Sequence, residues 1–215
     1  MTPLPPPWRR AALALLGALA LAGCSTPPPL RLHSLMPEPG AVTDATPAAA
    51  AAAALPITVQ LGPVAVPAAV DHPQWLVHLP DGTLALLDNE RWASPLRDEL
   101  RAALRETLAR RWAVLDAAGP AAAPATWRLH LELLRFDSQP AREVRLEALW
   151  TLSPLPSDTP ARSTACRVVL RQPVGAGTVA LASGHRQTVA RLADRIGRQL
   201  RALGRGEVPP CEADE

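Results

Sequence analysis

Two runs of strict alternation constrain the fold of this chain more than any other feature. From Trp127 to Leu133, apolar Trp127, Leu129, Leu131 and Leu133 interleave with Arg128, His130 and Glu132. Val144, Leu146, Ala148, Trp150 and Leu152 repeat the pattern. Successive side chains of a strand point to opposite faces, so each run presents one apolar and one polar face. Leu134 and Phe136 shift the phase of the first run, which predicts a β-bulge near Leu133. Cys166, Val168 and Leu170 read as a third strand.

An apolar sheet face needs a cover, and two amphipathic helices supply one. Ser94 can cap the first, Pro95 suits its first position, and Glu99 lies early, where acids favour the helix dipole. Leu96, Leu100, Leu104 and Leu108 form its stripe, ending near Trp112. The polar side carries Arg97, Arg101 and Arg105 with Asp98 and Glu106. A closing helix is expected from about Ser183 to Leu203, with Val189, Leu192, Ile196, Leu200 and Leu203 on one face and Gly204 and Gly206 ending it. The expected fold is α+β: a largely antiparallel sheet with two amphipathic helices packed on it.

Ahead of this lie less regular segments. Ile57, Val59 and Leu61 alternate, Gly62-Pro63 breaks the run, and Val64 to Val66 resumes it before Pro67. This suits either a bulged strand or an edge strand. Gln74 to Leu79 and Thr83 to Leu87 flank Pro80-Asp81-Gly82, a strong hairpin signal. Leu30 to Leu35 reads as a short first strand. Pro37 to Pro56, with unbroken alanine from Ala48 to Ala54, has no apolar face and reads as a flexible spacer.

The amino-terminal region reads as an address. Arg9-Arg10 precedes an apolar run, Ala11 to Ala20, and then Leu21-Ala22-Gly23-Cys24. A basic segment, an apolar segment and small residues before a cut site make a secretory signal. With Cys after the cut, the signal looks like a bacterial lipobox, in which the Cys24 thiol and then the new amino terminus are acylated, with chains such as palmitate. Ala11 to Gly23 is well short of the roughly 20 residues needed to span a bilayer. One acyl chain anchors marginally and several hold durably. Ser25 stands where Asp would signal inner-membrane retention, so the expected location is the periplasmic face of the outer membrane. The expected organisation is a signal peptide at 1–23, a Pro/Ala-rich tether at 24–54 and a folded body at 55–215.

Composition closes several alternatives. The net charge of +2 is small and no basic block appears, which argues against nucleic acid. All 22 basic residues are Arg. Cys24 is committed to lipid, and Cys166 and Cys211 remain in an oxidising compartment, where an even pair reads as a disulfide. No His or Cys pair has metal-ligand spacing, and no cofactor motif is present. Gly175-Ala176-Gly177 lacks the Lys and the strand-to-helix setting of a phosphate loop. Ser153, Ser163 and Ser183 lie outside any nucleophile-elbow context. Asp71-His72 with His78 and Asp81 is the one local cluster of titratable groups, in a hairpin where such residues commonly serve turns. The chain reads as a non-enzyme.

Behind the lipobox, three features occur in order: Gly62 to Pro67 as G-P-V-A-V-P, Asp71 to Gln74 leading into a hairpin, and Arg91 to Leu96 as R-W-A-S-P-L. With the later Leu134 to Pro140 and the closing helix, they resemble the PqiC-like family of ABC-type transport auxiliary lipoproteins, also described as membrane integrity-associated transporter subunits. The family usually has an aromatic residue before Thr-Leu where this chain has His33-Ser34-Leu35. The resemblance implies an outer-membrane lipoprotein serving an intermembrane lipid transporter of the mammalian-cell-entry (MCE) type. Its implied partners are a PqiB-like MCE-domain protein and further copies of itself. On that footing Gly62, Pro63, Pro67, Arg91 and Trp92 are candidates for partner binding, although each also has a plain packing role. The alternative function is an outer-membrane scaffold or assembly lipoprotein that takes no part in lipid transport.

Overall fold

A computed structural model describes residues 28–38, 57–116, 126–157, 162–208 and 210–211. The chain divides after Leu30, and the second unit, from Arg31 onward, carries every strand and helix named below. The expected signal peptide, Cys24 and the Ala48–Ala54 run lie outside the described residues.

The strands are β1 (Arg31–His33), β2 (Thr58–Ala65), β3 (Gln74–His78), β4 (Leu84–Trp92), β5 (Ala113–Asp116), β6 (Thr126–Gln139), β7 (Glu143–Leu155) and β8 (Thr164–Pro173). The helices are α1 (Leu96–Ala109) and α2 (Thr178–Gly204), with a short 3-10 turn at Ala68–Val70. The architecture is α+β, but the single sheet expected is two. Five strands run in the order β5-β2-β6-β7-β8 and three in the order β1-β4-β3. Within the smaller sheet the β3–β4 hairpin has a register shift: Trp75 faces Leu87, yet Gln74 faces Arg91. The far end of β4 takes up β1 in parallel, with Arg31 opposite Glu90 and His33 opposite Trp92.

The antiparallel meander β6-β7-β8 follows the alternation in the sequence. The bulge expected near Leu133 falls between Leu133 and Arg135. β2 has parallel partners on both sides, β5 and β6, so it is an interior strand rather than an edge. Parallel strands are buried on both faces, and Thr58, Val59, Gln60 and Leu61 are all buried. Pro63 escapes the ladder because the register against β6 shifts between Leu61 and Val64. β5 was not legible; Ala113–Asp116 is too short to show a period.

Both helices cover the apolar side of the larger sheet. α2 packs on β7 and β8, while α1 packs on β2 and against α2. Leu96, Leu100 and Leu104 on α1 and Leu192, Ile196 and Leu200 on α2 are completely buried. α2 starts at Thr178, ahead of the expected Ser183, because Leu181 and Ala182 carry the buried stripe back across a polar stretch. At Gly184 a Cβ would lie 2.4 Å from Val174 Cγ1 and 3.1 Å from Val144 Cγ2, so only hydrogen lets the helix approach this closely. After α2 the chain returns to β8, where Cys211 is joined to Cys166 with Cα atoms 5.5 Å apart.

Candidate functional site

β3, β4, β6 and α2 meet around a polar centre set in aromatic rings. Alternation on β3 points Trp75 inward, and its ring packs at a tilt of 35° against Trp92 from β4 with ring centroids 4.4 Å apart. Phe136 from β6 lies edge-on to Trp92 at 5.9 Å and stacks on His185 from α2 at 3.9 Å. Ser138 supplies the polar link. Trp75 Nε1 donates to Ser138 Oγ at 2.8 Å, and that oxygen lies 2.8 Å from His185 Nε2. His185 is fully buried, and burial pushes its imidazole down to about 3, so the ring is neutral at any ordinary pH. Among the described residues, His185 Nδ1 has no hydrogen-bond partner.

A serine hydroxyl 2.8 Å from an imidazole has the spacing of a nucleophile and its base. Here the third member is an indole N–H, which withdraws a lone pair from the oxygen instead of orienting the base. Trp75, Ser138 and His185 are each 1% exposed or less, so no substrate reaches the hydroxyl. The chemistry of this centre is cohesion: it locks β3, β6 and α2 together.

A second polar clamp holds β1. Glu99, on the first turn of α1, accepts from Ser34 Oγ at 2.7 Å, Leu35 N at 2.8 Å and Ser94 Oγ at 2.9 Å. Ser94 therefore does not cap α1 as expected. Pro95 occupies the cap position with no side-chain bond, and the serine hydroxyl goes to the carboxylate instead. Next to the clamp, His33 Nε2 lies 2.5 Å from Glu90 Oε2. His33 also stands edge-on to Trp75, with centroids 4.9 Å apart.

The residues singled out in the sequence separate between the sheets. Gly62 and Pro63 belong to the β2 bulge, where a Cβ on Gly62 would approach Leu129 O to 3.3 Å while Pro63 stays exposed. Pro67 starts the 3-10 turn, its carbonyl accepting from Val70 N at 3.0 Å. Trp92 is buried in the aromatic cluster. Arg91 forms no ion pair with Glu90 or Asp98 among the described residues, and its Nε is buried without a hydrogen-bond partner. The four titratable groups near the hairpin disperse: Asp71 pairs with Arg97, His72 Nε2 meets Ala69 O at 2.9 Å, His78 lies 3.5 Å from Asp137, and Asp81 binds Thr83. The Trp75–Ser138–His185 centre gave no signal in the sequence, because its members stand 63 and 47 residues apart.

The helix-free face of the larger sheet carries an arginine group around one acid. Glu147 is buried and faces Arg167 Nε at 2.9 Å, Arg145 at 3.3 Å and Arg135 at 3.6 Å. Among the described residues, no helix is long and apolar enough to cross a membrane.

Comparison with known proteins places this architecture. Two solved structures share the fold. One, of an uncharacterised protein, matches with a TM-score of 0.58 at 19% identity over 68% of this chain and 95% of its own. The other, from Xanthomonas campestris, matches with a TM-score of 0.55 at 16% identity over 83% of this chain and 95% of its own. No curated protein matches the sequence. The model of the ABC-type transport auxiliary lipoprotein component matches residues 41–197, which takes in α1, α2 as far as Gly197, and the seven strands β2 to β8. The chain belongs to the family of ABC-type transport auxiliary lipoprotein components.

Proposed function

We propose that this protein is a non-enzymatic accessory subunit of an MCE-type intermembrane lipid transporter. Cys24 holds it by lipid at the periplasmic face of the outer membrane, and the body docks the periplasm-spanning, PqiB-like component. The observation that carries this reading is the family match over residues 41–197 behind a lipobox ending at Cys24. The geometry agrees with a docking module: its Ser–His pair is sealed in packing, while Pro63 is exposed on the β2 bulge. Exposed Pro63 and half-buried Pro67 and Arg91 are the foremost candidates for docking, with Gly62 in the β2 bulge and Trp92 in the aromatic cluster as supporting positions. Self-association into a homo-oligomer belongs to the same reading.

Affinity capture of the lipidated protein from gently solubilised envelopes tests it. An MCE-domain protein should be recovered with wild type and after shortening Ala48 to Ala54, and lost on truncating the body. Recovery of outer-membrane or cell-wall proteins alone would favour the scaffold alternative.

A further inference from the structure

The β3–β4 hairpin divides its side chains between two environments. Trp75 and Val77 point inward and are 1% and 2% exposed. On the opposite face Leu76 and Leu86 are cross-strand partners, and Leu84 precedes Leu86 by two residues along β4. Leu84 is 54% and Leu86 51% exposed, with Leu79 beside the turn at 38%. Single exposed leucines are ordinary, but Leu76, Leu84 and Leu86 group on one face of the hairpin, with His78 opposite Leu84, and a contiguous apolar group of this kind marks a contact surface. The turn between the strands is polar and internally satisfied. The Asp81 carboxylate accepts from Thr83 Oγ1 at 2.7 Å and Thr83 N at 2.9 Å, and these bonds hold its carboxyl below the usual range.

The direction of the chain identifies the occupant. β1 runs parallel to β4 with Arg31 opposite Glu90, so the amino end of β1 faces the same end of the sheet as Leu84 and the turn. Cys24 precedes Arg31 by seven residues in the sequence, and seven residues of chain span at most about 25 Å. A lipid on Cys24 thus holds Arg31, opposite Glu90, within about 25 Å of the bilayer, with the tether leaving on the side of Leu84 and the turn. We propose that the Leu76, Leu84 and Leu86 face rests in the interfacial layer of the membrane that carries the Cys24 lipid, as a second, shallow contact beside the anchor. An apolar face lying among headgroups with a charged tip at their level is the arrangement of an interfacial segment, not a spanning one. The inference rests on the anchor reading given above.

Its test uses the full-length lipidated protein in vesicles of phosphatidylethanolamine and phosphatidylglycerol. Single cysteines are introduced as Leu84→Cys, Leu86→Cys and, on the exposed segment after α2, Val208→Cys, and each is spin-labelled. Power saturation then compares collisions with oxygen, which concentrates in lipid, and with a water-soluble nickel chelate. Labels at 84 and 86 should favour oxygen several-fold more than the label at 208. Labels at 84 and 86 as open to nickel as that at 208, on protein that floats with the vesicles, would overturn the membrane contact alone. Protein that fails to float would overturn it together with the anchor. Shielded labels that couple to one another without gaining oxygen collisions would put a second copy on this face and also overturn the proposal.

Discussion

His185 links the interior of this protein to pH. Unfolded, its imidazole titrates near 6.5; folded, burial pushes it down to about 3. Between those values the unfolded chain binds a proton that the folded chain refuses, so stability falls as pH falls through that window. Above pH 6.5 the contribution is flat. The slope from this one group is about 1.4 kcal/mol per pH unit. His185→Gln should remove that slope in denaturant titrations from pH 6.5 to 3.5; an unchanged slope would assign the acid sensitivity elsewhere. Gly184 makes a packing prediction on the same helix. Gly184→Ala gains about 1 kcal/mol of helix propensity but drives a Cβ into Val174 and Val144, which costs about 1–3 kcal/mol. The melting temperature should drop, and a rise would show that the valines yield.

At the scale of elements, β1 depends on Glu99. Three residues of strand bury little by themselves, and the carboxylate's bonds to Ser34 and Leu35 tie the segment to α1. Charge-assisted hydrogen bonds to a buried acid are worth about 1.5–3 kcal/mol each and do not add fully. Glu99→Ala should cost about 2–4 kcal/mol and speed amide exchange in residues 31–36 before the rest of the sheet. Uniform exchange across the body would contradict a local clamp. Elements of this kind also mark the limit of the sequence. Trp127 to Leu133 and Val144 to Leu152 declared their strands because one face is covered by helices, while the other carries mostly polar side chains, exposed on β6 and largely half-buried on β7. Pro80-Asp81-Gly82 declared its hairpin, with Gly82 at φ +86° supplying the left-handed backbone the turn needs. β5 and the β1–β4 pairing did not declare themselves, since each is held by partners distant in sequence. His33 and Glu90 are 57 residues apart. The same physics hid the Trp75–Ser138–His185 centre, in which every residue is unremarkable until the sheets meet.

For the whole molecule, the disulfide closes the last structural loop. Cys166 and Cys211 are 45 residues apart, and the cross-link holds the segment after α2 to β8. A loop of that length corresponds to about 4 kcal/mol in the chain-entropy account, with about 2–4 expected in practice. Cys211→Ala should lower unfolding free energy by about 2–4 kcal/mol, measured at neutral pH without reductant; equal stability would show that the packing of α2 alone fixes the tail. In the proposed function, lipid at Cys24 and the docking body have separate tasks, so damage to one should leave the other intact. The most direct measurement is a titration of the purified full-length protein, in nanodiscs, with the soluble region of the MCE-domain protein encoded in the same genome, read by biolayer interferometry. Saturable binding that Pro63→Glu and Arg91→Glu weaken at least tenfold, with unchanged melting temperatures, is the predicted result, about 1.4 kcal/mol or more. Absence of saturable binding by a folded, lipidated protein would contradict the transport role.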